Sequence, residues 1–103
     1  MAKQQYIYTD ANELILLVKM GSKRESRIFN APEIQRVSFT RFTEKKLLGL
    51  KTVSGRRITI VCKGLGNVSY DEPDNKEFFE EYLTMLRKYC YENRVTFFDF
   101  PAE

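Results

Sequence analysis

The sequence predicts a mainly β protein with one helix: a meander of six to seven antiparallel strands forming a small barrel, capped by a C-terminal amphipathic helix. Three observations carry that expectation. Strand-length apolar patterns separated by turn residues fill residues 4–63. The one long helical pattern, over residues 74–92, comes after them, where it can plug what the strands enclose. The chain has 103 residues, 43% hydrophobic and 30% charged, which suits one globular domain with one modest core, so residues 1–103 read as a single unit.

The first strand pattern, residues 4–9, alternates polar and aromatic side chains and stops at Asp10-Ala11-Asn12. Residues 13–20 form the most apolar segment, with Leu14, Leu16 and Val18 on one face and Ile15 and Leu17 on the other, the mark of a central strand covered on both sides. Gly21-Ser22 turns the chain into residues 24–30, and Ala31-Pro32-Glu33 breaks it again, because proline has no N–H to give to a ladder. The alternation of residues 34–42 is disturbed just after Ile34, which predicts a bulge. Residues 47–53 and 56–62 flank Ser54-Gly55, a two-residue hairpin signal.

Residues 64–73 read as a loop. Its short glycine pattern is a turn rather than a phosphate cradle, because the helix begins eight residues too late; residues 68–70 could add a short strand. Asp74 with Glu77 three residues on predicts a helix N-terminus behind Pro73. Phe78, Phe79, Tyr82, Leu83, Leu86, Tyr89 and Cys90 then make one apolar face. Residues 95–100 form an extended tail that either adds an edge strand or docks on a partner. Phe97, Phe98 and Phe100 cannot all lie on one strand face, so the tail is also a candidate protein interface.

Several of these segments together resemble a known superfold. They are Tyr8-Thr9-Asp10 ahead of an apolar strand, the Ile28 to Val37 turn into a strand, Leu48-Gly49-Leu50-Lys51-Thr52 followed by Gly55-Arg56-Arg57-Ile58-Thr59-Ile60, and the closing helix. Over residues 6–89 this pattern of hydrophobicity and turns resembles the pleckstrin-homology-like (PH-like) superfold, in particular short bacterial PH-like domains of unknown function. The chain departs from eukaryotic PH domains in having no tryptophan, which their helix usually carries. The resemblance implies a module that binds lipid, peptide or protein, without choosing among them.

Composition bears on the remaining classes. With no histidine there is no imidazole base to activate Cys62, Cys90 or a serine, so no catalytic residues are assigned and the protein is expected not to be an enzyme. Neither a metal-ligand spacing nor a cofactor motif is present, so no cofactor is expected. The two cysteines are expected to be buried, reduced thiols. No apolar run reaches the length of a membrane span and the N-terminus lacks a signal-like apolar region, which together predict a cytoplasmic location.

Charge gives the sharper expectation. Residues 1–63 hold thirteen Lys and Arg against five Asp and Glu, whereas residues 64–103 hold four against nine. Turn parity in a meander then gathers Lys23, Arg24, Lys45 and Lys46 at one end, with Lys19, Arg41 and Lys63 nearby, as a basic rim. Lys19, Lys23, Arg24, Arg27, Lys45 and Lys46 are the candidate anion-binding residues, and Lys19, Lys23, Arg24 and Arg27 are similar to the basic hairpin of phosphoinositide-binding PH domains. The function expected first is a non-enzymatic binding or assembly module, acting on a protein partner or as a homo-oligomer. The alternative is anionic lipid headgroup binding through the basic rim. Nucleic acid is disfavoured by a net charge of only +3.

Overall fold

A computed structural model describes residues 5–99. Seven strands run β1 (Ile7–Asp10), β2 (Glu13–Met20), β3 (Lys23–Asn30), β4 (Ile34–Lys46), β5 (Lys51–Cys62), β6 (Gly66–Asp71) and β7 (Phe97–Asp99), with helix α1 (Phe79–Asn93) between β6 and β7. Mainly β with one late helix is therefore the architecture. The strands hydrogen-bond as two sheets, β1-β2-β3 and β6-β5-β4-β7, and not as one closed ring of ladders among the described residues. The break falls at Ala31–Glu33, a single 3-10 turn with proline in it. Glu33 there accepts the Asn30 N–H at 2.8 Å and the chain swings from one sheet to the other.

Both sheets face one core. Leu14, Leu16 and Val18 of β2, Val37 of β4, Ile58, Ile60 and Cys62 of β5 meet Phe79, Tyr82, Leu83, Leu86, Tyr89 and Cys90 of α1. The helix face is the one its spacing predicts, while Glu80, Glu81, Arg87, Lys88 and Glu92 stay in solvent. On β2, only the first face is fully buried; Ile15 and Leu17 are half-buried. Three tyrosine hydroxyls fasten the parts together. Tyr82 Oη accepts the Tyr6 N–H at 2.7 Å, Tyr89 Oη–H donates to the Asn12 carbonyl at 2.7 Å, and Tyr70 Oη–H donates to the Leu17 carbonyl at 2.9 Å. Each buried ring thereby carries its polar tip to a backbone partner.

Boundaries expected from sequence hold for β2 and for the bulge, which lies between Ile34 and Arg36 in the β4–β5 register. The added strand after the glycine turn exists as β6. The first strand begins at Ile7, and Gln4 lies outside the described residues.

Two expectations are overturned. Ser54-Gly55 is not a turn: Thr43 pairs with Ser54 and Phe42 with Gly55 within one long hairpin whose tip is residues 47–50. The glycine serves a close approach instead, since a Cβ there would lie 3.1 Å from Pro73 Cδ. The helix does not start at Asp74. Residues 72–74 form a 3-10 turn, and buried Asn75 holds it through an Nδ2–H to the Asp71 carbonyl at 2.9 Å, so regular helix begins only at Phe79.

The tail is an edge strand, and its direction is parallel: Val37, Ser38 and Phe39 pair with Phe97, Phe98 and Asp99. Val95 and Phe97 pack against the core, one of the two burial choices available to such a strand. No helix among the described residues is long and apolar enough to cross a membrane.

Candidate functional site

Support for the β4–β5 hairpin ends well before its tip. The β7 ladder stops at Phe39 and the β6 ladder at Arg57. Beyond them, residues 41–46 and 51–56 continue as a two-stranded finger, about 20 Å long at the usual rise per strand residue. Its projection explains a radius of gyration of 14.2 Å and a long axis of 43 Å, against about 13 Å for an ordinary chain of this length.

The base of the finger is held by ion pairs. Arg56 binds Glu72 at 2.6 Å and also Glu80, and its guanidinium stands 5.0 Å from the Phe79 ring centre. Arg57 grips Asp71 through two bonds of 2.6 and 3.0 Å, reaches Glu44 at 3.0 Å and covers the Phe42 ring. The Arg56 guanidinium holds the Glu72 carboxyl below its ordinary range. These contacts fix the direction in which the finger leaves the body.

The tip is made differently. Leu47, Leu48 and Leu50 are between 69% and 104% exposed. Leu47 and Leu48 sit in the left-handed region at φ of 55° and 56°, followed by Gly49 at 88°. That conformation costs a branched residue roughly 1 kcal/mol or more, where asparagine or glycine would take it readily. Behind the leucines stand exposed Lys45, Lys46 and Lys51, with Lys46 and Lys51 directly opposite each other across the ladder. Like charges so placed repel. The acid within the finger, Glu44, is taken by Arg57.

The candidate anion-binding residues divide into two groups. Lys23, Arg24 and Arg27 lie exposed on β3, in the first sheet, where Arg24 also stacks over Tyr6 at 4.4 Å; of Lys19 only the backbone pairing with Arg24 is described. Lys45 and Lys46 lie in the other sheet, at the finger's outer end. Lys63 is not beside them. Its N–H donates to the Glu33 carbonyl at 2.9 Å, at the opposite end of β5, because without a turn at Ser54-Gly55 the chain from residue 56 onward runs the other way.

Of the candidate interface residues, Phe97 packs inward under Arg87, Phe98 is 43% exposed, and Phe100 lies outside the described residues. Sequence reasoning missed the leucine tip, having placed residues 47–53 in a strand. The available signal was Leu47-Leu48-Gly49-Leu50 enclosed by Lys45-Lys46 and Lys51.

Elsewhere, an open cleft between the β1–β2 turn and α1 carries Asp10, Glu81 and Glu92 around Met85 and Tyr89. Among the described residues, no group of three His, Cys, Asp or Glu is arranged to hold a metal ion. Cys62 and Cys90 are free and buried, and burial pushes each thiol up to about 11, so neither is a thiolate near neutral pH. Comparison with known proteins finds no matching family model, no similar curated protein and no similar solved structure.

Proposed function

We propose that this protein is a non-enzymatic binding module of the cytoplasm that meets its partner end-on through the β4–β5 finger, with a PH-like barrel as the scaffold. The scaffold reading draws on two sheets, antiparallel except for β7, that share a core with a C-terminal helix. The observation that carries the functional reading is the tip. Two leucines adopt a backbone conformation unfavourable to them, with their side chains largely in solvent and outside the core. Such local cost is characteristic of contact surfaces, which trade stability for binding. Assembly through the tail is the weaker reading, because Val95 and Phe97 are engaged in the protein's own core and β7 covers the β4 edge.

Stability tests this reading without knowledge of the partner. Leu47→Asn with Leu48→Gly should leave the unfolding free energy unchanged or raise it by up to about 1 kcal/mol, since both residues accept the left-handed region. A loss of about 1 kcal/mol or more in denaturant unfolding would make the leucines structural and end the proposal.

A further inference from the structure

We propose that the partner of the finger is an anionic lipid bilayer, into which Leu47, Leu48 and Leu50 insert while Lys45, Lys46 and Lys51 lie against the headgroups. The inference rests on the reading of the finger as the contact surface, and names what it contacts.

Features that are unfavourable in water become favourable together at one kind of surface. The leucines expose apolar area that a hydrocarbon boundary would take up. The Lys46–Lys51 cross-strand pair repels in water and is relieved where negative charge is dense. The order along the finger matches the order across a leaflet, since apolar side chains are outermost and ammonium groups stand one step behind. Long lysine stems can follow the leucines inward while their charges stay at headgroup level. Shape agrees, because the tip is convex and projects clear of the body, as entry into an interface some 5–10 Å deep requires. A soluble phosphate or free headgroup would satisfy the lysines and leave the leucines in water. The charge at the finger's root does not interfere, since Arg56 and Arg57 are already bound to carboxylates.

The chain has no tryptophan, so Leu48→Trp installs a single reporter at the most exposed point of the tip. The full chain is mixed with vesicles of phosphatidylcholine, with and without phosphatidylserine, at low and at physiological salt, and with glycerophosphoserine as the soluble headgroup. Binding is expected to the phosphatidylserine vesicles only, to weaken as salt rises, and to be accompanied by a blue shift of the Leu48→Trp emission. Leu48→Ser should weaken vesicle binding about tenfold or more, and Lys46→Gln about fivefold.

Failure takes separable forms. If the protein stays in the supernatant at low salt, the bilayer proposal falls. The finger reading survives that result as long as Leu47→Asn with Leu48→Gly is no less stable than the native chain. Sedimentation with no emission shift, and with Leu48→Ser binding like the native chain, overturns insertion in favour of charge adsorption. A solution mass that rises with concentration and is restored by Leu48→Ser, without vesicle binding, overturns the lipid in favour of a second copy of the chain.

Discussion

Leu86→Ala is expected to lower the unfolding free energy by about 2–5 kcal/mol, a large effect for a single truncation. Leu86 is fully buried at the centre of the α1 face. The helix is pinned on either side of it by Tyr82 to Tyr6 and Tyr89 to Asn12, so it cannot settle into the space left behind. The loss is therefore the transfer free energy of the removed methyl groups plus most of a cavity penalty. For a domain of this size that is a large share of the total. Urea unfolding followed by circular dichroism measures it, and a loss under about 1 kcal/mol would mean that the helix is not the element holding the two sheets together.

The second large effect is alkaline. Burial raises Cys62 and Cys90 from 9.0 to about 11, raises Tyr89 from 10.0 to about 12, and raises Tyr70 and Tyr82 in the same direction. For each of these the folded pKa lies above the unfolded one. The stabilisation is therefore complete below the unfolded value and is lost as pH rises towards the folded value, because the unfolded chain releases its proton first. Each group in that window contributes a slope of about 1.4 kcal/mol per pH unit. Stability should hold to about pH 9 and then fall with increasing steepness as the tyrosines join the thiols. Thermal midpoints recorded from about pH 8 to about pH 11 check this, and a flat profile would show that these hydroxyls and thiols are not shielded from water when the chain is folded.

Parts of the fold were legible where a local pattern and the tertiary environment demand the same thing. The β2 segment was legible as a strand from its continuous apolar run, and its bounds are correct. Coverage on both sides is not met: the Leu14, Leu16 and Val18 face is buried in the core, while Ile15 and Leu17 are half-buried. The α1 face is legible for the same reason. The bulge after Ile34 could be read because losing one step of alternation has no other simple cause. The long hairpin was not legible. Ser54-Gly55 is a stronger turn signal than Leu47-Leu48-Gly49-Leu50, and only the position of Pro73, distant in sequence, shows that Gly55 answers a packing demand. The same misplacement hid the candidate site. Leucines normally signal burial, so a leucine tip looks like a strand until the pairing of Lys46 with Lys51 puts it in solvent. Asp74 misled in a related way, since its helix-starting pattern is real but Asn75 captures the chain in a tight turn first.

The finger is, on this account, a working appendage on a body that folds without it. Phe42 and Gly55 are cross-strand partners at its root, so replacing residues 43–54 with Asn-Gly closes the hairpin there in register. The Arg56 and Arg57 pairs with Glu72 and Asp71 remain; the exposed Glu44 contact is removed with the finger. Denaturant unfolding of this shortened chain should be cooperative, with a midpoint close to that of the full protein. Loss of cooperative unfolding, or a midpoint far below that of the full chain, would contradict this and return the finger to the fold.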